Sequence, residues 1–277
     1  NGDRIPAVEE DILREFVHDV MTGVYGDAPV KAFELGNEYW GSGRMNATEY
    51  GRLTAEMSVI IDDELKLISE VYDMDTSDTD IVVQMGHNYG HSQLSEEYEG
   101  WTAQDVIDDL NDKYPDADIN YDNIRGNGDV NWTEVNNELV QMSFDTPEEQ
   151  GAIDGIVAHV YSRGAGNDNS KFYDLDNINL TWLQDEGFED LEIYVTEWNQ
   201  KSTSGLDRED DYGLFQAHEI LNITEAFMAH GVDEAHVWPL IQNTSNPLST
   251  GMDYSGMSAP GEMFAMMSEN IPGKTML

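Results

Sequence analysis

Five short apolar runs punctuate this chain, at 30–35, 81–85, 153–160, 191–195 and 233–237, and each breaks off into polar or aromatic side chains. Between them the apolar residues change period. Ile12, Phe16, Val17, Val20 and Met21 recur at helical spacing over 8–22. Leu53, Met57, Ile60, Ile61, Leu65, Ile68 and Val71 do the same after Asn46. Asn46, followed three residues later by Glu49, has the form of a capping box and marks where that helix starts. Further helices are predicted at 102–112, 131–142, 180–186, 208–230 and 260–269, with an irregular acidic stretch between the first two. Short apolar runs alternating with helical stretches predict an α/β fold with a parallel sheet. No internal repeat and no Pro/Gly/Ser-rich linker divides the sequence, so one domain over 1–277 is expected.

Composition narrows the function classes. With 39% hydrophobic and 10% aromatic residues, the chain has material for one large core. Asp and Glu number 56 against 13 Lys and Arg, a formal net charge of −43. The aromatic and β-branched content argues against disorder, leaving a folded domain with a heavily acidic surface. Self-repulsion on that scale costs stability unless salt or divalent cations screen it. The expected setting is extracellular or cell-surface, in a bacterium of marine or halophilic habitat. Nucleic acid and anionic membrane surfaces are disfavoured as partners by the same charge. No run of about 18 apolar residues appears, so membrane insertion is not expected. Cysteine is absent, which excludes disulfides and thiolate metal sites. The sequence contains no phosphate-binding loop, dinucleotide fingerprint or His-Glu-x-x-His zinc motif.

The residues that close the apolar runs carry the functional signal. They are Asn37/Glu38, His87/Asn88, His159/Tyr161, Glu197/Trp198 and Trp238. In a β/α barrel the C-terminal strand ends converge on one face, where catalytic residues gather. Two of the clusters bring a glutamate. Hydrolysis of a glycosidic bond with retention needs one carboxyl group to protonate the leaving oxygen and a second to attack the anomeric carbon. Two glutamates on separate strands can supply both.

Phe33-Glu34-Leu35-Gly36-Asn37-Glu38 resembles the Gly-Asn-Glu motif that closes the fourth barrel strand in clan A retaining glycoside hydrolases. Ile193-Tyr194-Val195-Thr196-Glu197-Trp198-Asn199 resembles the seventh-strand motif of that clan. The wording around both is most similar to arabinofuranosidase-like and xylosidase-like families. The resemblance implies a (β/α)8 barrel of the TIM type, with Glu38 as general acid/base, Glu197 as nucleophile and Asn37 on the sugar 2-hydroxyl. It further implies that His159 and Tyr161 stand beside the nucleophile at the end of the sixth strand, and that Trp238 is an aromatic platform after the eighth. His87, Asn88, Tyr39, Trp40 and Trp198 would wall the sugar subsites. On this numbering the chain supplies five of the eight β/α units, the fourth to the eighth, so the first three strands are expected to lie outside it. The missing upstream part of the barrel would then be a partner of this segment.

The expected reaction is double displacement on a poly- or oligosaccharide, with no cofactor required. Asp116, Asp118, Asn120 and Asp122 alternate as oxygen ligands would around a hard cation, so Ca²⁺ is a candidate structural ion. Asp73, Asp75, Asp78 and Asp80 form a second acidic cluster. The rival reading is a non-catalytic carbohydrate-binding or adhesive module of a large, acidic, calcium-dependent extracellular protein.

Overall fold

The computed structural model describes residues 3–41, 43–164, 172–202, 211–252 and 255–272. The elements run α1 (Glu10–Met21), β1 (Ala32–Leu35), α2 (Ala47–Tyr72), β2 (Asp80–Gln84), α3 (Ala103–Lys113), α4 (Trp132–Gln141), α5 (Pro147–Gln150), β3 (Gly155–Ser162), α6 (Tyr173–Leu180), β4 (Glu192–Gln200), α7 (Leu214–His230), β5 (Glu234–Val237) and α8 (Ala259–Asn270). The strands follow chain order in the sheet, β1-β2-β3-β4-β5. The described pairings of β1 with β2, β2 with β3 and β4 with β5 are parallel. Parallel strands in chain order, alternating with helices, form the connectivity of five consecutive units of a (β/α)8 barrel. The chain gathers into two compact units, Asn1–Val157 with Asn177–Leu191, and Ala158–Asp176 with Glu192–Leu277.

In the first unit the long helix α2 organises the packing. Its capping box forms as the sequence predicts: Asn46 Oδ1 accepts from Glu49 N at 2.8 Å, and Asn46 N donates to Glu49 Oε2 at 3.3 Å. Arg4 also donates to Glu49 Oε1 through its side-chain Nε at 2.9 Å, and these bonds hold the Glu49 carboxyl well below its ordinary pKa. The face that α2 buries keeps Ile60, Ile61, Leu65 and Ile68 of the predicted apolar stripe and adds small residues to it. Thr54, Ala55, Ser58, Ile61, Leu65 and Ile68 are buried, while Val71 is exposed. Small residues face inward because α4 lies very close: a Cβ on Gly51 would fall 2.5 Å from the Val140 carbonyl oxygen. Thr54 and Ser58 return their hydroxyls to helix carbonyls at 3.0 Å, so these buried polar atoms are satisfied.

Helix α4 in turn closes on the end of β2. A Cβ on Gly86 would sit 2.2 Å from the backbone at Asn136 and Asn137, so only glycine fits there. Asn137 Oδ1 accepts from Gly86 N at 2.9 Å and from Trp182 Nε1 at 2.8 Å, and Asn137 Nδ2 donates to Thr133 O at 2.9 Å. That anchor explains a departure from expectation around 180–186. The helix there is α6, ending at Leu180, and only a 3₁₀ turn, Trp182–Gln184, follows. Thr181 Oγ1 donates to Asn177 O at 2.8 Å, and the Trp182 ring is fully buried, so packing of the indole ends the helix. Helix α5, absent from the expected elements, starts at a Thr146/Glu149 capping box with proline in its first turn.

In the second unit β4 extends past Val195 to Gln200, five residues beyond the expected apolar run. The polar end stays in the sheet because both neighbours pair with it: Trp238 N donates to Trp198 O at 3.1 Å and Lys201 N to Ser162 O at 2.7 Å. Between Val195 and Trp198 the register against β5 slips, with three steps on β4 matching two from Ala235 to Val237. The extra residue makes a bulge, which sharpens local twist and re-aims side chains. Ile193, Tyr194 and Val195 are buried, as are Ile220, Ile223 and Phe227 of α7. Helix α7 begins at Leu214, and the expected start near 208 lies outside the described residues.

One buried acid sets a pH dependence. Glu138 on α4 is 7% exposed, and its pKa is raised from 4.5 to about 9, first by burial and then by Asp185, Asp118 and Glu134. The folded state therefore holds this proton more tightly than the unfolded chain. Stability from this group is fully present below about pH 4.5 and is lost as pH rises toward about 9. Glu138→Gln keeps the shape without the ionisation. The variant is expected to exceed the parent by roughly 2–3 kcal/mol at pH 7 and to lack the decline between pH 5 and pH 9. Urea denaturation across that range measures both; parallel curves would refute the assignment.

Candidate active site

The first unit brings the Asn37/Glu38 turn and the His87/Asn88 loop together where β1 and β2 part. Leu35 is the last paired residue of β1, opposite Val83. The next bond of a parallel ladder would join Leu35 O to Gln84 N. The Tyr50 hydroxyl takes its place, donating to Leu35 O at 2.6 Å and accepting from Gln84 N at 2.8 Å. Beyond the break the chain turns sharply, with Gly36 at φ +94° and Glu38 at φ +45°. A left-handed glutamate is uncommon and costs about 1–3 kcal/mol, so the surrounding structure must hold it. The support is visible next door: Tyr39 is buried and stacks on Tyr50 with ring centroids 3.9 Å apart, and Gly41 N donates to Glu38 O at 2.8 Å. Glu38 is half-buried and Asn37 exposed.

Trp40 is buried against the half-buried His87, with ring centroids 4.9 Å apart. Gly90 closes the two loops on each other, since a Cβ there would meet the Trp40 carbonyl oxygen at 2.5 Å. Asn88 staples its own loop. Its Oδ1 accepts from Leu94 N at 2.9 Å and its Nδ2 donates to Ser95 Oγ at 3.1 Å.

The second unit assembles His159, Tyr161, Glu197 and Trp238. Tyr161 Oη donates to Glu197 Oε2 at 2.7 Å. His159 Nδ1 stands 3.8 Å from the same oxygen, beyond hydrogen-bond reach but close enough for attraction when the ring is protonated. Residues 159 and 161 share one face of β3 by strand alternation, which is why both reach one carboxylate. Glu197 lies in the β4 bulge with a quarter of its side chain exposed. A carboxylate fixed through one oxygen by a phenol, on a rigid strand and open to solvent, can act as a nucleophile or as a general base. Trp238 follows β5 and is 47% exposed.

Trp198 does not fit the role of a subsite wall. Its ring is 3% exposed, packing edge-on against Phe227 of α7 at 5.4 Å and tilted against Phe264 of α8 at 6.1 Å. Adjacent strand residues point to opposite faces, so the face that presents Glu197 commits Trp198 to the helix layer.

The acidic stretch expected to bind calcium is organised as a turn. Asn120 Oδ1 accepts from Asp122 N at 2.8 Å, and Asn120 Nδ2 donates to Asp118 Oδ1 at 3.1 Å, while Asp116, Asp118 and Asp122 are exposed. Asn120 therefore caps the 3₁₀ turn Tyr121–Asn123. Asp75 accepts from Ser77 N at 3.1 Å, and Asp80 pairs with Lys31 at 2.7 Å. Among the described residues, no group of three or more His, Asp or Glu could hold a metal ion.

Tyr50, Asn137 and the buried amides Asn199, Gln216 and Asn246 all support these loops and escaped sequence reasoning. Only Asn199 lay inside a motif the sequence singled out.

No family model and no curated protein matches the sequence. Among solved structures, the chain is similar to a β-glucanase from Saccharophagus degradans in complex with cellotetraose, at 14% identity and TM-score 0.45, covering 95% of this chain and 60% of that one. It is similar to a family 5 xyloglucanase from Paenibacillus pabuli, at 11% identity and TM-score 0.49, covering 94% and 66%. A third is a β-glucosidase from Thermotoga maritima, at 14% identity and TM-score 0.42, covering 94% and 68%. The chain thus spans 60% and 66% of the first two proteins, and the likeness is one of fold alone.

Tyr50→Phe removes the hydroxyl that replaces the broken ladder bond and leaves Leu35 O and Gln84 N buried without it. The expected loss is about 1–3 kcal/mol by chemical denaturation. Unchanged stability would mean that the strands close the ladder unaided.

Proposed function

We propose that this chain is the larger part of a retaining glycoside hydrolase, with Glu197 as nucleophile and Glu38 as general acid/base. The observation that carries the reading is the Tyr161 Oη to Glu197 Oε2 hydrogen bond of 2.7 Å, with His159 beside it, in the bulge of β4. Glu38 is supported by a different feature, a strained left-handed backbone held at a strand end by buried aromatic rings. In the first step the Glu197 carboxylate attacks the anomeric carbon while Glu38 protonates the departing oxygen. In the second, Glu38 takes a proton from water as that water displaces Glu197. Tyr161 fixes one oxygen of the nucleophile, so the carboxylate enters the reaction already oriented. Trp238 would stack on a sugar face. The chemistry calls for no cofactor.

The substrate is a poly- or oligosaccharide, and the motif wording favours an arabinofuranoside or xyloside. The first three β/α units of the barrel would act with this segment. The net charge of −43 suits a secreted or surface enzyme of a saline, bacterial habitat.

A 2-fluoro glycoside traps a glycosyl-enzyme. Peptide mapping is expected to find the label on Glu197, and Glu197→Gln to abolish turnover. Wild-type activity in that variant would sink the assignment. Tyr161→Phe, which removes the orienting donor but not the nucleophile, is expected to lower kcat by about 10- to 100-fold. An unchanged kcat would remove Tyr161 from the mechanism.

A further inference from the structure

We propose that Asn199 is a positioning residue. With Gln216 and Asn246 it forms a buried amide lock that holds Trp238 in place and ties it to the strand carrying Glu197. The inference rests on reading Trp238 and Glu197 as parts of one sugar site.

Both main-chain polar groups of Trp238 are taken by consecutive residues of β4. Trp238 N donates to Trp198 O at 3.1 Å, and Trp238 O accepts from Asn199 Nδ2 at 3.0 Å. The indole itself is half-exposed, so packing alone does not fix its attitude. Asn199 lies two residues beyond Glu197 and is fully buried. Its Nδ2 also donates to Asn246 O at 3.0 Å, and its Oδ1 accepts from Gln216 Nε2 at 3.0 Å and Gln200 N at 2.7 Å. Gln216 Nε2, on α7, reaches Asn246 O at 2.8 Å as well. Asn246 Nδ2 donates to Gln200 O at 2.7 Å, and Asn246 Oδ1 accepts from Thr244 Oγ1 at 2.9 Å.

Three side-chain amides, each at most 3% exposed, thus exchange hydrogen bonds around three backbone carbonyls. A buried amide left unpaired is costly, so such a network has one satisfied arrangement rather than a range of them. The segment from Trp238 to Asn246 is clamped at both ends by it. Movement of the Trp238 backbone would have to break bonds to Asn199, and through Asn199 would disturb the polar end of β4. An amide is required at 199 because it must donate to two carbonyls and accept from two N–H groups at once, which no apolar residue of that volume can do.

The test is a double-mutant cycle of Asn199→Ala with Trp238→Ala, assayed on 4-nitrophenyl β-D-xyloside and 4-nitrophenyl α-L-arabinofuranoside. Asn199→Ala is expected to raise KM about tenfold with kcat changed by less than about twofold, and to add nothing further in the Trp238→Ala background. An equal KM increase in both backgrounds would overturn the lock. A second readout is independent of activity: acrylamide quenching, with Trp238→Phe as the blank that isolates this indole. Asn199→Ala, and the milder Gln216→Leu if the alanine variant does not fold, should make Trp238 more quenchable. Unchanged quenching refutes the lock. Increased quenching in a chain without glycosidase activity upholds the lock, while the enzyme reading fails separately if a 2-fluoro glycoside leaves Glu197 unlabelled in the parent chain joined to its missing β/α units.

Discussion

A single phenol decides how the first unit presents its acidic turn. Were the β1–β2 ladder to continue, Leu35 O would bond Gln84 N, and residues 36–38 would run on as strand. The Tyr50 hydroxyl separates the strands while satisfying both groups, at 2.6 and 2.8 Å, so the divergence leaves no orphaned backbone polar atom. Everything beyond follows from that insertion. Gly36 can take φ +94° because it has no Cβ, Tyr39 returns to stack on Tyr50, and Glu38 is left in a conformation that a free peptide would rarely adopt. Tyr50 is available because it lies in the first turn of α2, whose start is pinned by the Asn46/Glu49 box and by Arg4. A capping interaction on one element therefore sets the geometry of a turn on another.

The second unit solves the same problem by other means. Its strand keeps its partners and gains a residue, so the bulge redirects Glu197 without breaking β4 from the sheet. The polar tail of the strand, Asn199 and Gln200, stays buried because a network of amides and carbonyls satisfies it. In the first unit the side chain that fills the gap comes from a helix. In the second the strand carries its own polar groups and draws a helix residue, Gln216, into them.

Strand order and helix order were legible because apolar periodicity is a local property, and the capping box at Asn46 because its donors and acceptors are three residues apart. What the sequence hid was tertiary. The end of β4 reads as a loop, since Thr196, Glu197, Asn199 and Gln200 are polar, yet pairing on both sides keeps it extended. The helix expected at 180–186 is displaced because Trp182 Nε1 finds Asn137, 45 residues away. The acidic stretch shows the same ambiguity: alternating Asp and Asn side chains suit a cation, and the same spacing suits a turn in which Asn120 binds its own neighbours. Glu197 and Trp198 were read as one cluster although neighbours on a strand face opposite ways, and the aromatic one went to the core.

An acidic chain also sharpens the question of which carboxylates can do chemistry. Glu49 is spent on a helix start and on Arg4. Glu34 accepts from Gln84 Nε2 at 2.9 Å within the sheet. Glu138 is buried among other acids, and its raised pKa keeps the proton on at neutral pH, which removes one charge from an already repulsive surface. Others are held as well: Asp109 accepts from the Tyr98 hydroxyl at 2.7 Å, and Asp154 accepts from Ile81 N at 2.8 Å. Glu38 follows β1, and Glu197 lies in the bulge of β4. Each is partly open to solvent; Glu38 stands on a left-handed backbone, and the Glu197 carboxylate accepts from a phenol. Fixation combined with access is what covalent and acid–base catalysis demand of a carboxyl group, and net charge alone distinguishes no carboxylate in so acidic a chain.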